Sequence, residues 1–253
     1  LAEIKPSRKA PYLFMNLIEG GKHTNSSLSF QEYHVVPQTD NIKEAVDIGI
    51  KMQDTLKEII IKDLGEESIN LGDEGGFAPK IDDVRKPLLY LTEAVSKNNL
   101  QNKVRLALDI AASSFYNNGF YKISGKQLSK EEIIAVYHSL IEEFNLISIE
   151  DPFNQEDFDS FRKLKEQHQN LLIVGDDLIV SNPALLQKAI NNSSINGMII
   201  KPNQIGTLSE TLEVMKLARD NGIELIVSHR GEETNDAFIA DLAFAFKCYG
   251  LKS

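Results

Sequence analysis

Residues 146–176 read LISIEDPFNQEDFDSFRKLKEQHQNLLIVGD. Two apolar runs, LISIE and LLIVGD, flank a polar stretch from Glu156 to His168 that reads as a helix. A strand, a helix and a strand in this order imply parallel pairing through a right-handed crossover. Both strands end on a carboxylate, Glu150 and Asp176. The pattern continues outward: VRLALD ends at Asp109, GMIIK at Lys201 and ELIVSH at His229. These endpoints lie close to one strand-helix unit apart, roughly 31 residues in an eight-unit barrel of about 250, with only the step from Asp109 to Glu150 long. Each endpoint therefore falls where a buried strand emerges at one rim. Three carboxylates, a lysine and a histidine at one mouth describe a metal-assisted acid/base site.

The earlier part of the chain is organised differently. Residues 1–10 are polar and basic and read as a linker, and residues 11–253 as one domain with no dividing stretch. YLFMNLI and LSFQEYHVVP, joined by the loop EGGKHTNSS, read as an antiparallel strand pair. From Asn41 to Asp63 the apolar residues fall at helical spacing, with Asp40 placed to cap the start. The glycine-rich loop LGDEGGFAP separates this from a second helix over Ile81 to Lys97. Further helices are expected at Lys130 to Phe144, Asn182 to Ala189, Leu208 to Asp220 and Glu233 to Cys248. The fold class is α/β: two strands, two helices, then repeated strand-helix units.

Composition narrows the function. A net charge of −10 argues against nucleic acid, which needs a concentrated basic surface. No apolar run approaches the roughly 20 residues that span a bilayer, so no membrane association is expected. The single cysteine, Cys248, forbids an intrachain disulfide and suits a reducing, cytoplasmic setting. The chain begins at Leu1 and stops at YGLKS, in what reads as a strand nearing its end. That is the expectation for a piece cut at both ends.

Asp109, Glu150 and Asp176 offer hard oxygen ligands suited to Mg²⁺. One acidic residue after a strand is commonly a helix cap; three in consecutive units are not. Asp151 and Asp177, one residue further on, are expected to point elsewhere and to orient lysines or ligands. Lys201 precedes Pro202, and beside a divalent cation its proton affinity should fall into the range of a general base. His229 and Arg230 close ELIVSHR, where the arginine fork suits phosphate. Lys252 extends the series to a sixth strand end. Glu74 sits among the glycines of GDEGG as a candidate acid, Gln31 and Glu32 form a polar pair on the second strand, and His23 lies in the first loop. His34, His138 and His168 lack metal-ligand spacing and are expected on the surface or on helices.

Six runs in order, GDEGGFAP (72–79), ALDIAAS (107–113), SIEDPF (148–153), GDDLIVSNP (175–183), IKPNQIGTLSET (200–211) and VSHRGEETNDAFIADLA (227–243), resemble the enolase family. The resemblance implies a TIM-type barrel of the enolase kind, ββαα(βα)6, incomplete at the C-terminus, with residues 1–10 leading from a missing N-terminal domain. It implies interconversion of 2-phosphoglycerate and phosphoenolpyruvate with Mg²⁺ on Asp109, Glu150 and Asp176. Lys201 would be the base, and Glu74, supported by Glu32, would be the acid. His23, His229, Arg230 and Lys252 would hold the substrate or shape the site. The parent protein would be a homodimer or larger. A base of this type beside Mg²⁺ is the general pattern of the enolase superfamily.

The chain departs from that family at Gly231, usually serine, Ser114, usually glutamate, and Glu19, usually asparagine. The family's N-terminal domain, which supplies a serine to a second metal, and its C-terminal helices have no counterpart in this sequence. The chain alone is therefore expected to be weakly active or inactive. Two other readings compete: a superfamily lyase for another carboxylate, separated by a substrate panel, and a non-catalytic binding role, marked by Mg²⁺ binding without turnover.

Overall fold

The computed structural model describes residues 9–24, 26–231 and 233–252, so the expected linker at 1–10 falls almost entirely outside them. β1 (Tyr12–Glu19) and β2 (Glu32–Pro37) pair antiparallel, with an irregularity between Asn16 and Ile18. All six residues of β2 are buried, although LSFQEYHVVP reads as an alternating strand from Leu28. The strand is covered on both faces, by the barrel interior and by the helical shell, which removes the solvent side that alternation presumes.

α1 (Ile42–Leu64) is capped by Asn41, whose side chain accepts from the Glu44 N–H, rather than by the expected Asp40. α2 (Lys86–Lys97) begins after Ile81, because Pro87 suits only the first turn of a helix. β3 (Val104–Asp109) pairs antiparallel with β2 and parallel with β7 (Ser148–Glu150). Between them lie β4 (Tyr116–Asn117), β5 (Phe120–Ile123) and β6 (Lys126–Leu128), a small antiparallel sheet that lengthens the step from Asp109 to Glu150. α3 (Lys130–Phe144) starts with a capping box, Ser129 and Glu132 each satisfying the other's backbone N–H.

The remaining units follow in order: α4 (Phe158–Gln167), β8 (Leu172–Gly175), α5 (Pro183–Asn191), β9 (Gly197–Ile200), the short α6 (Pro202–Ile205), α7 (Leu208–Asp220), β10 (Glu224–Ser228), α8 (Phe238–Ala245) and β11 (Gly250–Lys252). β11 pairs parallel with both β10 and β1. The sheet thereby closes as an eight-stranded barrel in the order β1-β11-β10-β9-β8-β7-β3-β2. None of the described helices is long and apolar enough to cross a membrane.

Two apolar layers hold this arrangement. The larger lies between strands and helices, with Leu106, Leu108, Ile149, Ile173, Met198, Ile200, Leu225 and Val227 facing the shell. The smaller is built from Phe14, Val36, Ala107, Val174, Ile199 and Ile226, alternate residues that form a separate cluster inside the barrel. A strand side chain shares its face with the residue two positions on. Two residues beyond Ala107, Val174 and Ile199 come Asp109, Asp176 and Lys201. The interior plug is thus the floor on which the strand ends stand.

Candidate active site

The rim above that floor encloses a cavity of about 570 Å³. Its lining includes Glu32, Glu74, Asp109, Asp176, Lys201, His229, Arg230 and Lys252. Backbone register accounts for the carboxylates: Glu19 lies opposite Glu32, Glu32 opposite Asp109, and Asp109 beside Glu150. Four neighbouring strands therefore bring four carboxylates to one level, all of them buried.

Buried anions at this spacing need cations. Lys252 is 5 % exposed, and its Nζ lies 2.9 Å from Asp109 Oδ2, 3.0 Å from Glu32 Oε1 and 3.4 Å from Glu150 Oε2. Burial works to lower its proton affinity, but Asp109, Glu150 and Glu32 outweigh this and hold it well above the usual lysine range. Asp109 is pushed up to about 6, first by burial, with Lys252 opposing. Glu150 is raised well above the ordinary carboxylate value by burial and by Asp109. Asp109 and Glu150 are thus raised despite the buried ammonium beside them. Asp109, Glu150 and Asp176 offer the hard oxygen donors a divalent cation takes, and Asp176 Oδ1 is a buried acceptor without a hydrogen-bond partner, but the group of described residues whose ligand atoms lie within 4.8 Å of one another is Asp151, Asp176 and Asp177.

Lys201 ion-pairs with Asp176 Oδ2. Burial lowers its proton affinity, yet the charge of Asp176 raises it further, so the net direction is up. The expected fall concerns Lys201 beside a divalent cation; among the chain's own groups the carboxylate one strand away dominates. Gln31 Nε2 donates to Asp109 Oδ2 at 3.3 Å, a bond that orients this candidate ligand. Asp151 does otherwise. It is buried, and its carboxylate accepts the backbone N–H groups of Asp176 (3.1 Å) and Asp177 (2.6 Å), fixing the turn after β8. Nor do Asp151 and Asp177 point away from the site, for ligand atoms of Asp151, Asp176 and Asp177 all lie within 4.8 Å of one another.

Glu74 reaches the cavity from the loop before α2. Its Oε1 lies 3.1 Å from His229 Nε2, and Asn16 Nδ2 donates to its Oε2 at 3.3 Å. Burial raises its proton affinity, but the hydrogen bond from His229 and the charge of Lys252 carry it below the ordinary value despite repulsion from Glu32. Arg230, Gly231 and Ser114 line the cavity too, while His23 closes the 3-10 turn Gly21–His23 with its side chain outside what is described.

The histidines correct a second expectation. His34 is 1 % exposed inside the barrel, with Nε2 2.8 Å from Glu32 Oε2. Together with Lys252 it holds Glu32 well below the usual carboxylate range against the opposing effect of burial. Period two on β2 places His34 on the face of Glu32, a signal present in the sequence. His138 and His168 contact each other on the outer shell. Asn16 and Glu19 also went unassigned, although YLFMNLIE obeys the same strand-end rule as the other runs.

With this geometry in place, the comparisons with known proteins are decisive. The family model described as "Enolase, C-terminal TIM barrel domain" matches residues 8–253. The chain belongs to the enolase family. It is similar to proteins named enolase from Methanocaldococcus jannaschii (43% identical over 244 residues), Methanococcus aeolicus (41% over 246) and Aeropyrum pernix (38% over 251). These alignments cover 96%, 96% and 98% of this chain but only 57%, 58% and 58% of those enolases. The chain thus spans less than two thirds of the length of the curated relatives it matches. The barrel anticipated from the strand ends is the barrel of the enolase family, and its relatives support an enolase-type function.

Proposed function

We propose that the chain forms the barrel part of a Mg²⁺-dependent lyase that interconverts 2-phosphoglycerate and phosphoenolpyruvate. The reading is carried by one observation: Asp109, Asp176, Lys201, Lys252 and the Glu74–His229 pair converge on a single cavity, with Glu150 buried beside Asp109. Asp109, Glu150 and Asp176 would hold Mg²⁺, which when bound supplies fixed positive charge beside the substrate carboxylate.

Removing a proton next to a carboxylate places two negative charges on one small group. Lys252, already surrounded by carboxylates, keeps its ammonium there and takes up part of that charge. Lys201 Nζ takes the proton as the neutral amine. To reach that form it must leave Asp176 and give its own proton to solvent, which the ammonium of Lys252 favours by lowering its proton affinity. The electron pair left on carbon forms the double bond as the C–O bond to the hydroxyl breaks. Glu74 gives that hydroxyl a proton and it departs as water. Glu74 in its present surroundings favours the anion, so it gains its proton as the anionic substrate enters and adds negative charge nearby. Arg230 and His229, with His23, hold the phosphate, and the arginine fork favours a phosphorylated substrate over other carboxylates. Assembly as a homodimer or larger and a cytoplasmic setting belong to the same proposal.

The test uses the full-length protein with Mg²⁺. Lys201→Ala should abolish solvent hydrogen exchange at the carbon beside the carboxylate of 2-phosphoglycerate, followed by NMR. Exchange persisting at the wild-type rate would remove Lys201 from the role of base. Absence of phosphoenolpyruvate formation by the wild-type protein would sink the assignment altogether.

A further inference from the structure

We propose that Glu19 is a positioning residue that clamps the Gly72–Phe77 segment and so aims Glu74 into the cavity, an inference that rests on the reading of Glu74 as the acid.

Glu19 ends β1 and is 0 % exposed. Its Oε1 accepts the Gly76 N–H at 2.5 Å and its Oε2 the Glu74 N–H at 3.3 Å. Its own backbone N–H donates to Phe77 O at 2.8 Å, and the Phe77 N–H returns to Leu17 O at 2.9 Å. One residue thus holds the segment by side chain and main chain together.

The glycines are shaped to this side chain. A Cβ at Gly72 would lie 2.0 Å from Glu19 Oε2, and one at Gly76 would lie 2.9 Å from Glu19 Cγ. The carboxyl occupies the space those side chains would need. Burial pushes the Glu19 carboxyl up, the N–H groups of Gly76 and Glu74 pull it back, and the charges of Glu74 and Glu32 push it up again. A carboxyl kept in so costly a place is there for its two acceptor oxygens, which neither glutamine nor the shorter asparagine usual in enolases can supply.

Asn16 and His229 meet the Glu74 carboxylate from other elements. The path of the Glu74 backbone sets where its carboxyl can reach them. An error of about 1 Å in such a group is enough to cost two orders of magnitude in rate.

Amide hydrogen exchange of the full-length protein tests the clamp directly. Glu19→Gln should speed exchange at Gly76 and Glu74 by about tenfold or more. It should lower kcat by about tenfold or more, with KM for 2-phosphoglycerate and Mg²⁺ affinity unchanged, because the Glu19 carboxylate hydrogen-bonds the Gly76 and Glu74 amides rather than Asp109, Glu150 or Asp176. Glu19→Asp, which keeps both oxygens, should recover part of both losses. Should Glu19→Gln fail to fold, Gly76→Ala displaces the same carboxyl from the other side and should give the same signature. Unchanged exchange at both amides in the folded variants overturns the clamp, whatever happens to activity. Faster exchange in a protein whose wild type shows no turnover keeps the clamp and removes the catalytic reading of Glu74.

Discussion

Gly231 stands beside Arg230 at the cavity wall, and a Cβ added there would meet nothing within 4 Å. The family's usual serine would therefore fit without displacing a neighbour and would add one hydroxyl toward the phosphate. Gly231→Ser should lower KM for 2-phosphoglycerate by about two- to tenfold, the worth of one ordinary hydrogen bond. An unchanged KM would mean that the backbone already satisfies that phosphate oxygen. At this scale the positions of the strand-end residues were largely legible and the effect of one side chain on the charge of another was not. Asp109, Glu150, Asp176, Lys201 and Lys252 are readable because a strand end fixes where a side chain emerges. The raised proton affinity of Lys201 arises from Asp176 on the neighbouring strand, a contact that leaves no local trace in either run. His34 was misplaced for a different reason: spacing between histidines was weighed, and its place two residues after Glu32 was not.

Where α3 and the end of α4 meet, His168 Nε2 contacts His138 Nδ1, and His138 Nε2 lies 2.9 Å from Gln167 Oε1. Burial first, and then His138, lower the proton affinity of His168 below its ordinary 6.5, with Glu142 opposing. A lowered folded-state value means that the unfolded chain binds the proton more readily. The stability linked to His168 is therefore full above about pH 6.5 and is lost as pH falls from there through the folded-state value. Urea midpoints at about pH 7.5 and about pH 5.5 should differ less in His168→Gln than in the wild type; an equal difference would assign the dependence to other groups. Elements with strong local signals were read well. α3 and α7 begin at Lys130 and Leu208 as expected, capped by Ser129 and Thr207. The strands β4, β5 and β6 were missed because runs of two to four residues carry too little periodicity to separate from a loop. α8 proved shorter than Glu233 to Cys248, since an apolar run does not reveal which of its residues are held in loops.

The spacing of strand ends was enough to propose a barrel, but not to show how it closes. Closure rests on β11, three residues long, which meets β1 through Tyr12–Gly250, Leu13–Leu251 and Phe14–Lys252. Gly250 is tight: a Cβ there would lie 2.5 Å from the Phe14 ring. Gly250→Val should cost about 1–3 kcal/mol through overpacking at this seam, read as a lowered urea midpoint. An unaltered midpoint would show that the ring moves aside freely. No feature of either run announces that Tyr12 meets Gly250, because such pairing is set by the number of strands and their tilt. The seam also orders events in time. β1 leaves the ribosome well before its barrel neighbour β11, so that edge of the sheet stays unpaired until β11, the last strand of the barrel, is made. Lys252, the cation shared by three carboxylates, arrives on that final strand. A nascent chain consequently gathers its negative charges before the residue that balances them, and the site acquires its chemistry only as the barrel shuts.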